Sequence, residues 1–222
     1  MKKSSAYIAS VALFVIVLVA VTSNVAAQKP TSAAPTSTID LVGSIKDGKY
    51  TNGFLKFELD VPSDWIKLDD AEKEIAKKIG TEAFKTDNER TNKLLDDAVK
   101  NELVVLALGK QALGSVENSA FALGIGKQSS PLITAKMVAE ATKSLFLKNP
   151  ESKLIQDVKT ETIGGKSFAS FDIELTMFGK KIPMRYYAAM IREYSLTVSM
   201  ATFDSGDLAK MEASLRTIKF LK

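Results

Sequence analysis

Polar and apolar residues alternate from Leu55 to Val61, with Lys56, Glu58 and Asp60 set between Leu55, Phe57, Leu59 and Val61, and this period of two predicts a strand. Tyr50 precedes it across Asn52-Gly53, a pair suited to a hairpin turn. Pro62-Ser63-Asp64-Trp65 closes it, because proline cannot continue a ladder. From 69 to 101 the pattern becomes helical. Leu68, Ile75 and Ile79 share one face and Leu94, Leu95, Ala98 and Val99 another, with a break near Thr86-Asp87-Asn88 that predicts two helices. The apolar runs at 103–108 and 120–125 predict neighbouring buried strands. Ser130-Pro131 predicts the start of a helix with Ile133, Met137, Ala141 and Leu145 inward, ended by Lys148-Asn149-Pro150. Strands at 154–163, 166–177, 182–191 and 196–202 then form a meander. A last helix, capped at Asp204 or Ser205, turns Leu208, Met211, Leu215 and Ile218 inward.

Runs of strands and helices without βαβ alternation predict an α+β fold, a mainly antiparallel sheet carrying helices. The first 27 residues read as an address. Met1-Lys2-Lys3 is positive, an apolar run follows from Ala6 to Val21, and Val25-Ala26-Ala27 is a small-residue cleavage site. Cleavage between Ala27 and Gln28 is expected, giving a periplasmic or extracellular protein; retention would leave it anchored by its N-terminus and facing outward. No cysteine follows the run, which excludes lipid attachment there. Residues 28–44 begin with QKPTSAAPTST and read as a flexible linker, and residues 45–222 as one globular domain.

Charge and residue inventory narrow the chemistry. The formal charge of +4 falls to +2 without Lys2 and Lys3, and no polybasic run interleaved with aromatics suggests nucleic acid. Cysteine and histidine are both absent. That removes Ser-His and Cys-His nucleophiles and the usual zinc sites, so no metal or cofactor is expected. Gly164-Gly165-Lys166-Ser167 ends like a phosphate loop but has Thr160 where that loop needs glycine, so it reads as a hairpin turn. Gly124-Ile125-Gly126 lacks the third glycine of a dinucleotide fingerprint and reads as the end of a strand. Asp69-Asp70 and Asp96-Asp97 read as a helix start and a solvated helix face.

The order of elements, with Gly48-x-Tyr50-x-Asn52, Phe57, Pro62-x-x-Trp65 and a Gly-Gly turn in the meander, resembles the PsbP-like family over about residues 48–220. The resemblance implies a three-layer α/β/α sandwich around an antiparallel sheet and a non-catalytic accessory role. It carries over no functional residue. Tyr50, Phe57 and Trp65 are expected to seal one end of the sheet.

Pairing the meander yields a candidate site. A Gly179-Lys180 turn would set Glu174 opposite Arg185 and Asp172 opposite Tyr187; a Gly164-Gly165 turn would set Asp157 opposite Asp172; a three-residue turn at 192–194 would set Ser199 beside Tyr187. One row would then read Asp157, Asp172, Tyr187, Ser199, with Glu174 and Arg185 in the adjacent row. Opposed carboxylates would repel if a helix from the 69–101 segment roofed them, whereas on a wet face the row is ordinary sheet surface. The expected function is an exported, non-catalytic binding or assembly module whose partner is a protein, without nucleic acid or stable membrane insertion. The alternative is a small-ligand binder or histidine-free enzyme using carboxylate, Tyr and Arg side chains of that face.

Overall fold

The computed structural model describes residues 41–222 except Val116 and Phe178; the expected signal segment, the Ala27-Gln28 cleavage site and most of the linker lie outside them. Among the described residues, two antiparallel sheets and four helices make an α+β fold. The strands are β1 (Ser44–Lys46), β2 (Lys49–Asn52), β3 (Phe57–Asp60), β4 (Ile66–Lys67), β5 (Glu102–Gly109), β6 (Ala120–Lys127), β7 (Ser152–Ile163), β8 (Lys166–Met177), β9 (Lys180–Ile191), β10 (Tyr194–Ala201) and β11 (Lys219–Phe220). The helices are α1 (Asp70–Phe84), α2 (Glu89–Lys100), α3 (Ala135–Phe146) and α4 (Ser205–Arg216). The large sheet runs β4-β5-β6-β10-β9-β8-β7 and the small one β1-β2-β3-β11.

Each face of the large sheet builds a core. On one, Ala169, Phe171, Ile173 and Leu175 of β8 and Ile182, Met184, Tyr186 and Ala188 of β9 meet Phe84, Leu95, Ala98, Val99, Val138, Ala139 and Phe146 from α1, α2 and α3. Aromatic rings connect these layers: Phe84 stacks on Phe146 at 4.6 Å, Phe146 meets Phe171 at 6.1 Å, and Phe171 meets Tyr186 at 5.1 Å. On the other face Phe121, Leu123, Phe168, Tyr187, Leu196, Val198 and Met200 meet Tyr50, Phe57 and Leu59 of the small sheet and Met211 and Leu215 of α4. The layer opposite α1–α3 is thus a small sheet together with α4.

Local chemistry fixes the ends of the helices. Asp69 and Glu72 form a reciprocal capping box on α1, Asn88 caps α2 and Asp204 caps α4. α3 begins later than Ser130 predicts. Ser130 instead closes a turn by accepting from the amide of Leu132, and Thr134 caps the helix through the amide of Met137. The inward stripe of α3 is accordingly Val138, Ala139, Thr142 and Phe146, leaving Met137 outside. Likewise Ala76 and Phe84 of α1 are buried and Ile75 is exposed.

The opening aromatics are structural, as their spacing predicts. Tyr50, Phe57 and Trp65 are all buried. Tyr50 donates to the carbonyl of Val42 at 2.7 Å and Asn52 to that of Leu41 at 2.7 Å, so residues 41–44, expected in the linker, are tied to the body. Asn52 also differs in role from its prediction. It ends β2, and its side chain accepts from the amide of Leu55 at 2.8 Å across a longer loop.

Candidate functional site

The meander keeps the predicted parity of β8 and β9 but not the predicted row. Gly179 adopts a φ of 75°, a conformation that glycine takes without steric cost, and β8 runs on to Met177 opposite Lys180. The register therefore moves by two residues, setting Asp172 opposite Arg185, Glu174 opposite Pro183 and Ser170 opposite Tyr187. The Gly164-Gly165 turn forms as predicted, with Ile163 opposite Lys166. Two irregularities farther along β7 then bring Gln156, and not Asp157, opposite Asp172. β9 and β10 are joined by a two-residue turn, with Ile191 opposite Tyr194 and Ser199 opposite Tyr186. A slip of one residue exchanges the faces of a strand. Ser199 consequently points to the α1–α3 side, while Tyr187 lies in the other core.

The six predicted residues thus separate. Asp157 pairs with Lys143 of α3 at 2.5 Å, and that ammonium group lowers its carboxyl pKa. Glu174 pairs with Lys181 at 3.0 Å. Asp172, Arg185 and Tyr187 stay together on the face that α4 covers, so the roof is the C-terminal helix and not one from the 69–101 segment. Arg185 donates from Nε and Nη2 to the two oxygens of Asp172 at 2.7 and 2.6 Å, and its Nη1 meets Glu212 of α4. Burial raises the Tyr187 pKa, opposed by the charge of Arg185. One turn farther along α4, Arg216 pairs with Glu161 of β7 at 3.0 Å. A planar guanidinium in bidentate contact with one carboxylate and touching a second is well suited to bracing a helix on a sheet.

A second cluster escapes the sequence pattern. Glu102 opens β5, is 4% exposed and accepts from the hydroxyl of Thr197 at 2.8 Å through Oε1. Its Oε2 is buried without a hydrogen-bond partner among the described residues. Burial raises its pKa to about 8, with Thr197 and the charge of Lys77 opposing the rise. Gly124 of β6 makes the space. A Cβ there would stand 2.1 Å from Glu102 Oε1 and 2.7 Å from Thr197 Oγ1, so the close approach requires glycine. Beside this carboxyl lies a cavity of about 200 Å³ lined by α1, β5 and Val42. Asp70, Lys73, Glu74 and Lys77 are its polar walls, and Leu103 and Val104 part of its apolar one. Lys73 is engaged by Asp70 at 2.5 Å. An acid directly before the run Leu103-Val104-Val105-Leu106, and a Gly-x-Gly on the next strand, are the sequence signals that mark this place.

A larger hollow, about 1010 Å³, lies between the α1–α2 junction and residues 148–151, where Lys85, Arg90 and Lys148 alternate with Asp87 and Glu151. Mixed charge around a broad depression defines no single ligand chemistry. Among the described residues no group of three acidic side chains is placed to hold a metal ion, and no helix is long and apolar enough to cross a membrane.

Fold and sites together define an α+β protein with a charge-braced sheet face and, at Glu102, a buried carboxyl with a partner on one oxygen only. No family model matches the chain, and no curated protein matches it. Similar solved structures include cyanobacterial PsbP from Synechocystis sp. PCC 6803, 13% identical over 86% of this chain and 99% of that one, with a TM-score of 0.49. LpqN of Mycobacterium tuberculosis, involved in cell envelope biogenesis, is 15% identical over 75% of this chain and 83% of its own, with a TM-score of 0.46. A Pseudomonas aeruginosa protein of unknown function is 19% identical over 48% of this chain and 72% of its own, with a TM-score of 0.38. All three TM-scores lie below 0.5, and no residue role is transferred from these proteins.

Proposed function

We propose that this chain is an exported binding or assembly module of PsbP-like architecture that acts by docking a protein partner rather than by catalysis. The observation that carries the reading is the commitment of the sheet-face ionisable groups. Asp172 is clamped by Arg185 through both oxygens, and Glu174 and Asp157 each face a lysine, Lys181 and Lys143, so these carboxylates have charged partners within the fold. Recognition then falls to the surface. Leu132, 80% exposed between the Ser130 turn and the α3 cap, is an apolar knob beside Pro131, and Met137 is exposed on the first turn of α3. On this reading these exposed apolar side chains are the points offered to the partner.

Export follows from the charged, apolar and small-residue order of residues 1–27. Intact mass of protein recovered from the expressing cell is expected to begin at Gln28. A mass retaining residues 1–27 in the membrane fraction would instead support an anchored form. For the partner, crosslinking in the exported fraction is expected to yield one reproducible adduct, lost in Leu132→Asp. That variant should fold normally, since surface changes stay within about 0.5 kcal/mol. An adduct that persists in both Leu132→Asp and Met137→Lys, or no adduct at all, would refute docking through this knob.

A further inference from the structure

The cavity between α1 and β5 has a feature that fold maintenance leaves unexplained: Glu102, which lines a space large enough for a small molecule, keeps one carboxyl oxygen buried without a partner among the described residues. Buried polar groups are nearly always satisfied, and an orphan beside a polar cavity marks a place where something can bind. The half of Glu102 that faces Thr197 is satisfied. The other oxygen is not.

We propose that this cavity is a binding site for a short hydroxy acid, whose hydroxyl meets Glu102 and whose carboxylate meets Lys77. A hydroxyl both donates and accepts, so it can satisfy Glu102 Oε2 whether that carboxyl carries its proton or not. Lys77, half-buried on α1, shares the cavity with Glu102 and acts on its charge, which puts a cation within reach of an anion held there. Lys73 is already neutralised by Asp70, leaving Lys77 as the wall's anion-binding group, with exposed Glu74 at the margin to disfavour ligands of higher charge. Val42, Leu103 and Val104 supply the apolar contacts that a short carbon chain needs. Gly124 fixes the depth of the site, because any side chain there would displace the carboxyl that the ligand must reach.

The test uses three probes with the same three-carbon chain. Lactate carries both groups, propionate lacks the hydroxyl and propane-1,2-diol lacks the carboxylate. Amide chemical shifts of the intact protein are followed during titration at neutral pH, with attention to Leu103, Gly124 and Thr197. Lactate is expected to shift these resonances saturably and to bind about tenfold or more tightly than either control, the worth of one charge-assisted or buried hydrogen bond. Glu102→Gln and Lys77→Met should each weaken lactate by a similar factor, and Lys77→Met is a conservative change on a helix surface that keeps the fold. Equal response to all three probes, or lactate affinity unchanged in both variants, would overturn the proposal. Its failure would leave the Leu132 docking experiment untouched.

Discussion

Replacing Glu102 by glutamine is expected to flatten the fall in stability that its buried carboxyl gives the native protein as the pH rises. In the unfolded chain this carboxyl releases its proton near the ordinary 4.5, whereas burial in the folded protein holds the proton to about 8. Between those values the folded state binds more protons than the unfolded state, so the free energy of unfolding declines with rising pH and levels off above about 8. The contribution is fully present below 4.5. At about 1.4 kcal/mol for each pH unit between the two values, the contribution of this group is expected to fall by several kcal/mol across the window. Glutamine still accepts from Thr197 but cannot ionise. The variant should therefore match or fall slightly below the native protein near pH 5 and exceed it near pH 9.

The neighbouring titrations do not imitate this effect. Lys77 attracts the ionised form, Asp70 is held low by Lys73, and Tyr186, the other buried group coupled to Glu102, has a pKa raised well above 10 by its own burial. Asp64, Asp97 and Asp157, lowered by lysine partners, favour the folded state as pH rises and lose that contribution in acid, but they are common to both proteins. Urea unfolding at pH 5, 7 and 9 checks the difference directly. Curves that remain parallel across that range would mean that Glu102 ionises normally in the fold.

The distance between the predicted and the observed site is a lesson in what a period of two can determine. Alternation along β8 and β9 identifies which side chains share a face, and Ala169, Phe171, Ile182 and Met184 do meet in one core. It does not determine how far one strand slides along the next. Gly179 and Arg192 decide that, with φ values of 75° and 57° in turns whose lengths the sequence leaves open. The two-residue turn at Arg192-Glu193 sends Leu196, Val198 and Met200 to one core and buries Ser195, Thr197 and Ser199 under the helices. Glu102 became a buried partner of Thr197 by the same step. Capping residues, in contrast, act within one turn, which is why the α1–α2 break and the Asp204 cap are legible while the start of α3, with Ser130 and Thr134 both competent, is not.

Removing the guanidinium of Arg185 is expected to cost more than removing either of its partners. Asp172 and Glu212 have side chains only 15% and 24% exposed, and both lie against the same cation. Arg185→Met would leave two carboxylates facing each other under α4, with Glu161 already engaged by Arg216. Breaking a fully buried pair costs about 3–5 kcal/mol, and partial exposure here lowers the expected loss to about 2–3 kcal/mol. For a chain of this size that is a fall in Tm of roughly 4–12 °C. Asp172→Asn, which the predicted row would make a ligand-weakening change with an intact fold, should instead reduce stability by about 1–2 kcal/mol, because Arg185 keeps Glu212. The decisive comparison is the triple variant Arg185→Met, Asp172→Leu, Glu212→Leu, which removes the charges together and restores apolar contact with Ile155 and Leu208, the neighbours that line the small gap beside Asp172 and Arg185. A braced helix predicts that the triple variant recovers most of the stability lost in Arg185→Met, since the loss comes from unpaired charge and not from missing volume. If Arg185→Met alone melts within a degree or two of the native protein, the cluster is a solvated surface and α4 is held by its other contacts, the apolar ones of Met211 and Leu215 and the Arg216–Glu161 pair among them.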